Sequence, residues 1–290
     1  MSRKLLTLLF LLTLAVAAAP AEAAAPPRDD GMTEPVYLVH GYSVDGTDCQ
    51  QRWGPAMEAW RKAGWEGEFH TVGYSEGDTS CNTKIAATNR STPIQHLGSQ
   101  LAWDIYLQYS SHGRSVDLVG HSMGGLIARV ALTGVSRGWD GFPPFLYVED
   151  AVTLGTPHGG VSASWVRSCD ETQCVQMRPG SNFLRVLASV GQNPQSSQGT
   201  DWTLIGSEDD HTVAWQSAVA SRAEPNMRPG HRVLYKSGEG ISHGDLASTV
   251  SGDRKYRLSY SRGTGPVQRT ENGRSPVYAA GGAIKWWSKW

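Results

Sequence analysis

Apolar positions along the chain fall into short unbroken runs separated by stretches with helical spacing. Val36-Tyr37-Leu38-Val39 and Val116 to Val119 are of the kind that forms strands buried on both faces. Glu68 to Tyr74, Tyr147 to Leu154, Trp202 to Gly206 and Arg232 to Tyr235 read as further strands. Between them, Ile94, Leu97, Leu101, Ile105 and Tyr109 recur at helical spacing behind the helix-starting Thr92-Pro93. Leu126, Ile127, Val130 and Ala131 do the same directly after the Val116 to Val119 strand. Strands alternating with helices predict an α/β fold with a doubly wound, mostly parallel sheet.

Two stretches break this rhythm. Residues 158–200 are rich in Ser, Gln and Gly, with one amphipathic piece at Ser181 to Val190, and are expected to form a loop-rich insertion over the strand ends. From Gly252 the chain is polar until Ala283 to Trp290, where Trp286, Trp287 and Trp290 stand among lysines. No repeat at a fixed period appears, so residues 36–290 are expected to form a single domain.

The N-terminus changes the picture. Arg3 and Lys4 precede an apolar run from Leu5 to Ala18, and Ala21-Glu22-Ala23 offers a small-x-small cleavage site. Residues 1–24 therefore read as a signal peptide and the protein as secreted. The apolar run is too short to span a membrane comfortably, so no integral segment is expected after cleavage. Residues 25–35, rich in Pro and Ala, read as a flexible leader. With 26 basic and 27 acidic residues and no Lys/Arg cluster, the chain offers nucleic acid no basic face. The four cysteines, Cys49, Cys81, Cys169 and Cys174, suit two disulfides in an exported protein. Of the three pairings, spacing favours Cys49 with Cys81 and Cys169 with Cys174. A four-thiolate zinc site is disfavoured because no close C-x-x-C pair is present, and no metal is expected.

Candidate chemistry centres on Gly120-His121-Ser122-Met123-Gly124, which fits G-x-S-x-G. The same pattern recurs at Gly73–Gly77, Gly134–Gly138 and Gly240–Gly244, so it decides nothing alone. A nucleophile on a sharp turn needs a buried strand running into it and a helix starting at once, whose N-terminus favours developing negative charge. Only Ser122 has both. The strand Val36 to Val39 runs into His40-Gly41-Tyr42, which nominates the Tyr42 and Met123 amides as oxyanion donors. An acid should follow at the end of a later strand, and Gly206-Ser207-Glu208-Asp209-Asp210 is such a turn. Spacing alone leaves Asp209 and Asp210 open. The base must come after the acid, and His243, in a loop beyond the last apolar strand, suits that place better than His211 or His231.

Several segments together resemble the small secreted bacterial lipases. They are Val-His-Gly-Tyr at 39–42, Gly-His-Ser-Met-Gly-Gly at 120–125 and Leu-Gly-Thr-Pro-His-Gly-Gly at 154–160. Met-Arg-Pro-Gly-Ser at 177–181, Ile-Gly-Ser-Glu-Asp-Asp-His-Thr-Val at 205–213 and Ser-His-Gly-Asp-Leu at 242–246 continue the match. The resemblance covers roughly residues 35–250. It implies the α/β-hydrolase fold, Ser122 as nucleophile, His243 as base, and Asp210 rather than Asp209 as the acid, three before Val213. A lipid or ester substrate, met at an oil–water surface, a monomeric protein and no cofactor are the expectations that go with this reading. Two departures are the four cysteines and the long segment after Pro157. Trp165, Phe183, Leu187 and the terminal tryptophans are the residues expected to meet such a surface.

Overall fold

The computed structural model describes residues 25–28, 30–221 and 226–286. The expected signal peptide and residues 287–290 lie outside the described residues. Among the described residues, nine strands form one sheet: β1 (Val36–Val39), β2 (Phe69–Ser75), β3 (Thr83–Thr88), β4 (Val116–His121), β5 (Val148–Leu154), β6 (Asp201–Ser207), β7 (His231–Tyr235), β8 (Tyr256–Arg262) and β9 (Gln268–Gly273). Their order is β3-β2-β1-β4-β5-β6-β7-β8-β9. Pairing is parallel from β3 through β7 and antiparallel from β7 to β9. The expected doubly wound, mostly parallel α/β sheet is therefore present, with an antiparallel extension at one edge.

Every residue of β1, β4 and β5 is buried, which is why these strands read as apolar runs rather than alternating ones. Among the described residues, eight α-helices accompany the sheet: α1 (Cys49–Lys62), α2 (Ile94–Gln108), α3 (Met123–Ser136), α4 (Ser164–Ser168), α5 (Thr172–Met177), α6 (Asn182–Val190), α7 (Trp215–Ala218) and α8 (Pro276–Ala283). Two cores result, one on each face. Leu97 and Leu101 of α2 meet Ile127 and Val130 of α3 on one side. On the other, Trp53 and Trp60 of α1 pack with Val277 and Ala280 of α8. Helix α3 is buried from Met123 to Val135, as a helix sandwiched between sheet and neighbours must be.

The polar tail after Gly252 is thus structured. β8, β9 and α8 come from it, and the Trp60 indole donates to the Val277 carbonyl at 2.9 Å. β9 hides from a hydrophobicity pattern because it is an exposed edge strand, QRTENG, with only Gly273 buried.

Residues 158–200 supply α4, α5 and α6. Ser181 caps α6, its hydroxyl accepting from the Leu184 amide at 3.2 Å. Phe183 and Leu187 point into the core instead of outward, which corrects their expected surface role. Trp165 is exposed, as is Val186 on the outer side of α6. The disulfides are Cys49–Cys81, closing a separation of 32 residues, and Cys169–Cys174, closing one of 5. On chain entropy alone the long loop is worth about 3–4 kcal/mol and the short one about 2 kcal/mol. No helix among the described residues is long and apolar enough to cross a membrane.

The strand order reverses at β1, whose neighbours are β2 and β4. In open parallel sheets the crevice beyond the carboxyl ends at such a reversal is where ligands bind. The segments leaving β1 and β4 there are His40-Gly41-Tyr42 and Ser122.

Candidate active site

Strand β4 ends at His121 and α3 begins at Met123, so a single residue, Ser122, makes the whole turn. It does so with φ 54° and ψ −127°. A side chain in that region costs on the order of 1–3 kcal/mol and persists only where the surroundings enforce it. They do here. The Ser122 amide donates to the Leu154 carbonyl at 2.9 Å, and the Ser122 carbonyl accepts from the Gly125 amide at 3.1 Å and the Thr156 hydroxyl at 2.9 Å. The motif glycines are dictated by contact: a Cβ on Gly120 would stand 2.5 Å from Gly125 Cα, and one on Gly124 2.1 Å from the Val39 carbonyl oxygen. The serines of the three competing patterns lack this geometry. Ser75 closes β2, Ser136 closes α3, and neither they nor Ser242 has a positive φ.

Across the cleft, His243 Nδ1 lies 2.7 Å from Asp210 Oδ2. The Asp210 side chain is fully buried, and its other oxygen accepts from the Thr212 and Val213 amides at 2.8 and 2.9 Å. That leaves the Nε2 side of His243 for chemistry, and Ser122 and His243 line the same cleft. Asp209 turns elsewhere. It accepts from the Gly238 and Gly240 amides at 3.0 and 2.8 Å, and these bonds hold its carboxyl below the usual range. Two adjacent acids therefore divide the work, one meeting the histidine and the other shaping the turn before it. The His243 carbonyl is held by His121 Nε2 at 2.9 Å. Burial first, then the neighbouring His243, keeps His121 well below its ordinary pKa, so it is neutral and Nε2–H donates. His211 is exposed, and His231 pairs with Asp201 at 3.0 Å near the start of β6.

On the β1 side, Gly41 presses against Ser122, since a Cβ there would lie 2.7 Å from Ser122 Cβ. Tyr42 follows it. Met123, the first residue of α3, has no carbonyl four residues back within its helix, which leaves its N–H for a ligand. What holds the Gly41-Tyr42 turn is a buried cluster that no motif marked. His40 Nε2 lies 2.9 Å from Asp78 Oδ2, and His40 Nδ1 lies 2.8 Å from the Gly41 carbonyl. Tyr74 stacks on the His40 ring, centroids 4.2 Å apart, and its hydroxyl donates to the same Gly41 carbonyl at 2.6 Å. Asp78 also accepts from the Tyr74 and Ser75 amides, each at 2.8 Å, and from the Thr47 amide at 2.9 Å. Burial alone would raise its carboxyl, but His40 and these amides outweigh that and hold it low. In the sequence Asp78 sits in a polar loop after a discarded G-x-S-x-G. The one signal pointing to it was the Cys49–Cys81 pairing, which fastens that loop beside residues 47–49.

The cleft encloses about 510 Å³ and is lined by Tyr42, Arg52, His121, Ser122 and His243, among others. Trp165 of the 158–200 segment stacks on Tyr42, centroids 5.5 Å apart. That segment is also held from behind. Arg129 of α3, fully buried, donates to the Gly191 and Leu187 carbonyls, both at 2.9 Å, and burial lowers its pKa to about 9. A second cavity of about 440 Å³, between β7–β9 and α8, is lined by His231 and Ser261 among others, but Ser261 lies within strand β8 and not on a strand-to-helix turn like that at Ser122.

Comparison with known proteins agrees with this architecture. The PGAP1-like alpha/beta domain family matches residues 68–171. No curated protein matches the sequence. Among solved structures, a Bacillus licheniformis lipase in mature form is 20% identical, with 69% of this chain and 74% of that one covered and a TM-score of 0.43. Aspergillus fumigatus lipase B is 16% identical over 80% of this chain and 57% of its own, TM-score 0.49. A lipase-esterase related protein from Clostridium acetobutylicum is 13% identical over 77% of this chain and 91% of its own, TM-score 0.44. The sheet order, the crossover at β1 and the turn at Ser122 define a mostly parallel, doubly wound α/β fold.

Proposed function

We propose that the protein is a secreted carboxylic-ester hydrolase, a lipase or esterase, with Ser122 as nucleophile, His243 as general base and Asp210 as the acid that orients it. Ser122 Oγ attacks the ester carbonyl while its proton passes to His243 Nε2, and Asp210 stabilises the imidazolium that forms. The Tyr42 and Met123 amides receive the oxyanion, each donor being worth roughly 3–4 kcal/mol in the transition state. Collapse breaks the ester C–O bond, and His243 returns its proton to the leaving alkoxide. Water, deprotonated by His243, then cleaves the acyl-enzyme and releases the acid.

The observation that carries this reading is the 2.7 Å contact between a buried Asp210 and His243, on the same cleft as a serine held at φ 54°. A structural serine has no need of that backbone. The two disulfides support an oxidising, extracellular setting. The test is a panel of p-nitrophenyl esters of increasing acyl length. Wild type should hydrolyse at least the short members, and Ser122→Ala should remove essentially all turnover while leaving the fold intact. Equal turnover by the two proteins would reject the assignment.

A further inference from the structure

The cleft that holds Ser122 also holds a cation with no counter-ion. Arg52 lines it together with Ser122, His121 and His243. Among the described residues, no carboxylate lies within salt-bridge distance of its guanidinium. Burial lowers its pKa, and no opposing acid raises it again. The acid lining the same cleft, Asp48, is exposed and already accepts from the Gln51 amide at 3.0 Å as the cap of α1.

The local fold makes the position more costly still. Arg52 is the fourth residue of α1, and its amide donates to the Asp48 carbonyl at 2.9 Å in the opening turn. A helix N-terminus carries partial positive charge, so a cation there is disfavoured, and the one acid at this end, the Asp48 cap, is committed to the Gln51 amide. Several other arginines have protein partners, a carboxylate for Arg90 (Glu171 at 2.9 Å) and Arg257 (Glu239 at 2.6 Å) and a carbonyl for Arg137 (Val190 at 2.9 Å). A partly desolvated guanidinium without a carboxylate partner among the described residues, lining the same cleft as Ser122, is satisfied by an anion arriving from outside. Its planar fork matches the oxygens of a carboxylate or phosphate.

We infer that Arg52 is a specificity-determining residue, and that the preferred substrates are esters carrying an anionic oxyacid group, carboxylate or phosphate, near the scissile carbonyl. This deepens the ester-hydrolase reading and rests on it. The anion lies either on the acyl side or on the leaving-group side of the ester, and two matched pairs separate these cases. For the acyl side the pair is p-nitrophenyl pentanoate against the p-nitrophenyl monoester of glutarate. For the leaving-group side it is monobutyrylglycerol against butyrylglycerol phosphate.

Wild type should favour the anionic member of at least one pair by about tenfold or more in kcat/KM, chiefly through KM, as a charge-assisted hydrogen bond warrants. Arg52→Gln should collapse that ratio towards one, and Arg52→Lys, which keeps charge without the fork, should retain part of it. Labelling of each variant by a fluorophosphonate reports that the site is folded. Should Arg52→Gln fail to fold, competitive inhibition of wild type by glycerol phosphate but not glycerol carries the same decision. Hydrolysis of all four esters with no anionic preference, or a preference unchanged in Arg52→Gln, overturns the inference while leaving the hydrolase reading intact. No hydrolysis of any ester overturns both.

Discussion

The two ends of the sheet hold carboxyl groups in opposite states. Beyond the carboxyl ends of the strands, Asp78 and Asp209 are held below the usual range by amides, and in the case of Asp78 by His40 as well. At the other end, Asp117 of β4 and Asp150 of β5 are pushed up by burial. Asp117 accepts one bond, from the Asp150 amide at 3.1 Å, and its second oxygen has no partner among the described residues. Asp150 has Arg28 at 3.5 Å against it, and still rises to about 8. The lesson concerns donors. Asp78 and Asp117 are both buried, yet four donors hold the first below the usual carboxylate range and one donor leaves the second above it. The site end is built to hold fixed charge, and the far end merely tolerates acids.

The sharpest way to break this comparison is at the two neighbours on the turn after β6. Asp210→Asn should lower kcat by about four orders of magnitude, because the amide reverses the tautomer offered to Ser122. Asp209→Asn should change kcat only a few-fold, since it loosens a turn and meets no reacting group. The reverse ranking in steady-state kinetics would transfer the acid's role to Asp209. Next in size is Asp78→Asn. It weakens the bond to His40 and loosens the Gly41-Tyr42 turn, so kcat should fall about tenfold to a hundredfold with KM little changed. A fall in KM-dependent rate alone would make the cluster a substrate contact instead.

The smallest effect belongs to the far end, and it is one of stability. Asp150 has a folded pKa above its unfolded one, so the folded chain binds the extra proton. Its contribution is fully present below the ordinary carboxylate pKa and is lost as pH rises through about 8. Asp150→Asn should therefore raise Tm at pH 9, by roughly 3–6 °C for a domain of this size, and do much less at pH 5. Thermal melts at the two pH values decide it. A mutant that melts lower at pH 9 would show Asp150 to be charged and paired.

Much of the central fold was legible because β1, β4 and β5 are buried on both faces and are mostly apolar, with Asp117, Glu149 and Asp150 as the charged interruptions. The periphery was not. Helix α1 went unassigned because Gly54-Pro55 interrupts it, although Trp53, Ala56, Ala59 and Trp60 give it a buried face. β3 is half exposed and β9 almost wholly so, and neither has an apolar side to announce it. Within the site, Ser122 stood out by what flanks it in sequence, and His243 by its order. Asp78 and Arg52 had no such mark, because their roles depend on which loops meet in space. Phe183 and Leu187 misled for a related reason: an amphipathic helix declares an apolar face without saying whether protein or lipid covers it.

The central claim is that Ser122 is an activated nucleophile whose reactivity depends on His243. The most direct measurement is covalent labelling by a fluorophosphonate, followed by peptide mapping of the modified residue. Labelling is expected on Ser122, within the peptide carrying Gly120 to Gly124, at a rate that falls by orders of magnitude in His243→Ala. No labelling of the folded protein, or labelling on Ser75, Ser136 or Ser242, would contradict it.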